Sequence, residues 1–249
     1  MKLSATNLSK SYTGHKVLDV PQAHFGGHGI EGLIGPNGAG KSTLLGCLTR
    51  RIEATTGDVR LEEDDGASTS LMDVSSYQVA RLGLVKTNQR IQNFESLTIR
   101  HSLRMAATPP AQQDWRSVWK LTGQNEALEA EIEALLARFP FTDPNGYAMS
   151  GGEKKLLDIL RCVIVKPKML LMDEPTAGLP DEVTQDVMKL VREKVDAGEM
   201  TVVIIEHDLD LIWSNCAYVH FLSEGSILFE GDPEKVKKNR VVAEKYMGV

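Results

Sequence analysis

Gly35-Pro36-Asn37-Gly38-Ala39-Gly40-Lys41-Ser42-Thr43 is the stretch on which the reading of this chain turns. It fits the pattern G-x-x-x-x-G-K-[ST]. Ile30 to Ile34, just before it, is a short apolar run that reads as a buried strand, and Leu44 to Leu48, just after it, continues as a helix. Glycines let the backbone pass close to phosphates and turn several N–H groups toward them, while the helix beginning near Lys41 adds its positive end. In that setting Lys41 reaches the β and γ phosphates of a nucleotide, and Ser42 holds a magnesium ion through its hydroxyl. A glycine-rich turn with a solvent-facing lysine is the plain alternative, and the strand and helix on either side argue against it.

Further along, Met169-Leu170-Leu171-Met172-Asp173-Glu174 is an apolar strand ending in two carboxylates, where an open α/β sheet places its ligand chemistry. Asp173 suits a magnesium-binding role, and Glu174 can orient or deprotonate water. Thr201 to Ile205 is a second, almost wholly apolar strand ending in Glu206-His207-Asp208. If the two strands are parallel, His207 comes to the same edge, where a neutral imidazole can bond a γ-phosphate or hold the attacking water. Alone it also reads as an ordinary surface histidine. Ser150-Gly151-Gly152-Glu153 precedes the helical stretch Lys154 to Val165. A serine there caps free N–H groups, and paired glycines leave the backbone open to an anion; taken alone, the tetrapeptide does not separate these uses.

Lys2 to Leu8 reads as an N-terminal strand with Leu3 and Ala5 on one face, followed by turns from Ser9 to His15 that carry a lone aromatic, Tyr12. Asp58 to Glu62 is a strand, Glu63 to Ser76 a hairpin or surface loop, and Leu84-Val85 a short strand ending near Gln89, an ordinary amide on its own. From Arg100 to Phe141 the pattern turns helical, interrupted at Pro109-Pro110 and Gly123. Glu126 to Phe139 puts Leu128, Ile132, Leu135, Leu136 and Phe139 on one face. Trp115 and Trp119 either pack against this helical insert or meet a partner. Pro180 to Val195 supplies a further helical stripe.

With 42% hydrophobic and 25% charged residues, the 249-residue chain has the balance of a folded protein with a sizeable core. Its net charge of -6 weighs against a nucleic-acid partner without preventing local attraction of a phosphate. Cys47, Cys162 and Cys216 show neither metal-ligand spacing nor a complete disulfide framework, and read as buried thiols in a reducing compartment. No run approaches the ~18 apolar residues of a membrane span. Met1-Lys2-Leu3-Ser4 turns polar at once, unlike a secretory signal. Work at a membrane would therefore require docking to another protein.

In their order along the chain these motifs resemble the ATP-binding subunits of ATP-binding-cassette transporters, over nearly the whole length. Gly35 to Thr43 matches Walker A, Gln89 the Q-loop, Ser150-Gly151-Gly152-Glu153 the signature, Leu170 to Glu174 Walker B, and His207 the switch histidine. The resemblance implies an α/β P-loop NTPase of the cassette type, with an N-terminal antiparallel β portion and a helical subdomain. Residues 1–96 and 142–249 would form the nucleotide-binding core, and 97–141 the helical insert, extending toward the signature. It implies ATP and Mg2+ as cofactors, Tyr12 stacked on adenine, Ser42, Gln89 and Asp173 at the magnesium, Glu174 as general base, and catalytic support from His207 and Gln89. Two chains, identical or closely related, would face each other head to tail. Each nucleotide would lie between one Walker A loop and the other chain's Ser150-Gly151-Gly152. Integral-membrane permease subunits and a separate solute-binding protein would complete the assembly, with this chain peripheral on the cytoplasmic face of the cell membrane. Met149, Glu153 and Pro180 depart from the family's usual leucine, glutamine and aspartate, and Pro180 puts communication between the two sites in doubt.

Asn93-Phe94-Glu95-Ser96-Leu97-Thr98-Ile99, Glu206 to Ile212 and the ending Val241 to Gly248 look like the ATPases of branched-chain amino acid and urea importers. Lipopolysaccharide-export ATPases have a similar ending, and the soluble cassette ATPase of iron–sulfur cluster assembly shares the nucleotide motifs. A chromosome-maintenance ATPase fits poorly, because no long heptad-bearing segment divides the nucleotide motifs.

Overall fold

The computed structural model describes residues 1–88, 97–108, 126–143, 145–146 and 148–247. The chain divides into two units, one of Met1–Lys86, Pro167–Pro175 and Met188–Val249, the other of Thr87–Lys166 and Thr176–Val187.

Unit one holds two sheets. The first joins β1 (Lys2–Tyr12), β2 (His15–Phe25), β4 (Thr56–Glu62) and β5 (Ser68–Ser70) in the order β2-β1-β4-β5, all antiparallel. Leu3 and Ala5 of β1 are fully buried, as their alternation predicts. The strand outruns its expected end: Ser9 pairs with Asp19, Lys10 with Leu18 and Tyr12 with His15. Only Thr13 (φ 46°) and Gly14 (φ 87°) make the turn, and positive φ at both positions matches the right-handed twist of a two-residue hairpin. The polar side chains of Ser9 to Tyr12 suggest a turn, but Ser9 is buried where its hydroxyl meets Thr56 of β4 at 2.7 Å, Lys10 and Ser11 are half-buried, and only Tyr12 is exposed.

The second sheet takes the order β10-β9-β3-β8-β7-β6, from β3 (Ile30–Ile34), β6 (Leu84–Lys86), β7 (Met169–Asp173), β8 (Thr201–Ile205), β9 (Tyr218–Ser223) and β10 (Ser226–Gly231). Every pairing is parallel except β9 with β10. β3 and β7 are buried at every position, the near-continuous burial that a covered parallel sheet requires. Leu3, Leu33, Leu44, Leu48, Leu61, Leu171 and Val203 share one core, which draws on both sheets and on α1 (Lys41–Leu48). Of the span from 63 to 76, residues 63 to 70 complete the β4–β5 hairpin, and a short connection runs on from 71 to 75. It leads to α2 (Ser76–Arg81), whose capping box joins Ser75 and Gln78.

Glu31 is the charged exception in β3. Its Oε1 accepts backbone N–H groups from Gly26, Gly27 and His28 at 2.8–3.0 Å, and its Oε2 lies 3.1 Å from His220 Nε2 on β9. His220 Nδ1 lies 3.0 Å from Glu230 Oε2. With a carboxylate on each ring nitrogen, the geometry favours the imidazolium, which donates from both. Burial opposes that charge, but the bonds to Glu230 and Glu31 outweigh it and lift the His220 pKa above its ordinary value.

Unit two contains α3 (Ile99–Ala107), α4 (Glu126–Arg138) and α5 (Gly151–Ile164). Its helices α3 and α5 pack together, and Arg104 grips Glu129 with two bonds of 2.7 Å. Ile132, Leu135 and Phe139 are buried on the face the sequence marks, while Leu128 and Leu136 are half-buried. Trp115 and Trp119 lie outside the described residues. α6 (Asp181–Asp196) begins in unit two and ends in unit one, and α7 (Leu209–Asn215) follows β8. Among the described residues, no helix is long and apolar enough to cross a membrane. Cys47, Cys162 and Cys216 are buried, and none of them is in a disulfide.

Candidate nucleotide site

At the carboxyl end of β3 the chain leaves the sheet through Gly35 and enters α1 at Lys41. A Cβ on Gly35 would stand 2.0 Å from the carbonyl oxygen of Leu222, so no side chain fits there. Gly40 caps α1 in the left-handed region (φ 103°), with no side chain bonded to the helix's first N–H groups. Around them opens a cavity of about 300 Å³, lined by Val17, Asn37, Gly38, Ala39, Gly40, Lys41, Ser42, Thr43, Glu174 and His207. Lys41 is buried, and its Nζ donates to the carbonyls of Gly35 at 2.6 Å and Pro36 at 3.1 Å. Burial lowers its pKa, against the opposing pull of Glu174 and Asp173. Such an ammonium is strong in attraction and short of water, ready to exchange two neutral carbonyls for an anion.

Glu174 and His207, which also line the cavity, follow the ends of β7 and β8, whose parallel pairing sets Asp173 beside Ile205. Asp173 is buried, and its Oδ2 accepts from Lys86 Nζ at 2.9 Å. Glu174 turns sharply away in the left-handed region (φ 49°), uncommon for a residue with a Cβ, with its N–H held by the Ile205 carbonyl at 2.9 Å. That turn swings its carboxylate into the cavity, where Oε1 meets His207 Nε2 at 3.0 Å. The buried Glu206 accepts the His207 N–H, steadying the histidine's backbone.

Magnesium would suit the oxygen donors offered here, the Ser42 hydroxyl and the Asp173 carboxylate, and among the described residues no group of three or more His, Cys, Asp or Glu side chains is placed to hold a metal unaided. That is the donor set of an ion that takes its remaining ligands from phosphates and water.

The other expected site residues stand elsewhere. Pro36 contributes its carbonyl to Lys41 rather than lining the cavity. Tyr12 is exposed at the β1–β2 hairpin, with Lys10 Nζ 4.9 Å from its ring centroid. Gln89 lies outside the described residues. Ser150, Gly151 and Gly152 belong to unit two. There Ser150 caps α5 by accepting the Glu153 N–H, while the Glu153 carboxylate accepts from Thr142 N at 2.7 Å and Ser150 N at 2.8 Å. Those bonds, Thr142's first, hold the Glu153 pKa at about 2. Gly152 is packed so closely that a Cβ would meet the Gly178 carbonyl oxygen at 2.6 Å, whereas one on Gly151 would meet open space. Sequence reasoning overlooked Lys86. The signal was a single charged residue closing an otherwise apolar strand.

Family comparison agrees with this geometry. The ABC transporter profile matches residues 26–177, from the end of β2 past Glu174. This chain belongs to the ABC transporter family. Among ABC relatives, the high-affinity branched-chain amino acid transport ATP-binding protein LivG of Salmonella typhimurium is 30% identical over 226 residues, covering 88% of this chain and 87% of LivG. A probable branched-chain amino acid transport ATP-binding protein LivG of Archaeoglobus fulgidus is 29% identical, covering 99% of this chain and 95% of the relative. Of solved structures, a nucleotide-free ATP-binding cassette from an ABC transporter aligns with a TM-score of 0.78 at 26% identity, covering 100% of both chains. An ABC cassette in its ADP conformation aligns at 0.79 and 27%, again over 100% of both.

Proposed function

We propose that this chain binds magnesium-ATP and hydrolyses it as one of two ATPase subunits powering an importer, with branched-chain amino acids the first candidate solute and urea the second. The observation that carries the reading is the convergence of Lys41, Ser42, Glu174 and His207 on one cavity. Lys41 would leave the Gly35 and Pro36 carbonyls for the β and γ phosphates. Ser42 and Asp173 would hold the magnesium, which supplies neutralising charge to the phosphate oxygens. Glu174 would orient and deprotonate the attacking water, and His207, 3.0 Å away, would fix the orientation of that carboxylate.

The names of the relatives support the solute class, and family membership supports permease partners, a separate solute-binding protein and a peripheral position on the cytoplasmic face of the membrane. In this reading Tyr12 stacks on adenine and Gln89 joins the magnesium site. The helical insert 97–141 and the signature that follows it present Ser150-Gly151-Gly152 to a second copy, identical or closely related. Calorimetric titration with magnesium-ATP tests the site: Lys41→Ala should lose an interaction of about 3 kcal/mol and weaken binding by roughly two orders of magnitude. Nearly unchanged affinity would overturn it.

A further inference from the structure

Lys86 is the last residue of β6, the edge strand, and its Nζ stands 2.9 Å from Asp173 Oδ2 with both side chains buried, at 8% and 0% exposure. β6 and β7 are parallel neighbours with Lys86 opposite Leu171, so the lysine reaches along the strand direction to the carboxyl end, where the cavity opens. The strand order matters. β8 and β3, which feed His207 and the phosphate loop, lie on one side of β7, and β6 lies on the other. Lys86 therefore holds Asp173 from the side of β7 opposite β8 and β3. A carboxylate held by a compact charge at one oxygen loses its freedom to swing, and a metal that binds it finds the ligand already oriented.

We propose that Lys86 is a positioning residue for the magnesium site, fixing Asp173 for the metal. The proposal rests on the magnesium-ATP reading above. A buried lysine at this point could serve the sheet alone, as an ion pair closing the β6–β7 edge. The two roles separate by what they change: a purely structural pair alters stability, and a positioning residue alters the gain in ATP affinity that magnesium brings.

The experiment is calorimetric titration of the full chain with ATP, with magnesium chloride and with EDTA, for wild type, K86Q, K86R and D173N. Loss of such an orienting partner lowers metal affinity by about 10–100-fold. K86Q should therefore reduce the magnesium gain by that factor while leaving the metal-free affinity unchanged. K86R keeps the charge on a bulkier planar group and should recover part of the gain. Adding K86Q to D173N should change nothing further. A folded K86Q with the wild-type gain, or a larger one, overturns the proposal. Should K86Q fail to fold by near-ultraviolet circular dichroism, K86M, which also removes the charge, carries the test, and a full wild-type gain in K86M refutes the role. If wild type itself shows no magnesium gain, the magnesium-ATP reading falls and this role with it; a wild-type gain retained in K86Q refutes Lys86 alone.

Discussion

Replacing His220 with Gln tests the charge cluster that it forms with Glu31 and Glu230. The ring is 1% exposed and bridges Glu31 and Glu230 from β9, and an amide can donate to only one of these carboxylates well. Breaking a buried ion pair by removing one partner costs about 3–5 kcal/mol. Glu31 still keeps three backbone N–H bonds from Gly26, Gly27 and His28, so the lower figure, about 3 kcal/mol, applies. For a chain of this size that is a fall in Tm of about 6–12 °C. The pH dependence has a definite sign. The folded His220 pKa is raised, so its contribution is complete below its unfolded value of about 6.5 and is lost as pH climbs through the higher folded value. Glu230 is depressed by its bond to His220, so its share is present above the ordinary carboxylate value and fades as pH falls through the folded one. Urea denaturation of wild type and His220→Gln between pH 5 and about pH 9 should show the widest gap in mildly acidic buffer and a narrowing gap above it. A gap that stays constant across that range would mean that the ring only fills space, and the ion-pair reasoning would be refuted.

Two further outcomes follow from the candidate site. Gly35→Ala forces a Cβ against the Leu222 carbonyl, so denaturation should show a loss of about 1–3 kcal/mol together with weakened nucleotide binding; wild-type values in both would contradict the packing. In a differently tagged heterodimer of a Lys41→Ala chain and a Ser150→Arg chain, each also carrying Glu174→Gln, action across the pair predicts one trapped ATP per dimer. A well-formed heterodimer that traps none would count against a shared site.

What the sequence made legible was whatever lies close together along the chain. β3, β7 and β8 announced themselves as apolar runs because a parallel sheet covered on both faces leaves no position wet. The phosphate loop, with a strand before it and a helix after it, is a local pattern, and so is the serine cap at Ser150. Residues such as Lys86 and His220 were silent for a physical reason. Lys86 meets Asp173 across 87 positions and His220 meets Glu31 across 189, and both depend on which strands are neighbours, which periodicity does not encode. Nor does composition tell a polar stretch of strand paired on both sides from a turn, and Ser9 to Tyr12 is such a stretch. α2 was missed although its capping pair, Ser75 and Gln78, lies in plain view within a polar stretch.

The most direct test of the account is single-turnover hydrolysis by Glu174→Gln beside wild type. The substitution keeps the side chain's size and its reach to His207 while removing the basic carboxylate, so ATP affinity should hold, the chemical step should slow by about 10²–10⁴-fold, and an ATP-bound dimer should accumulate. Hydrolysis at the wild-type rate would contradict the assignment of Glu174 as the base and, with it, the mechanism proposed for this cavity.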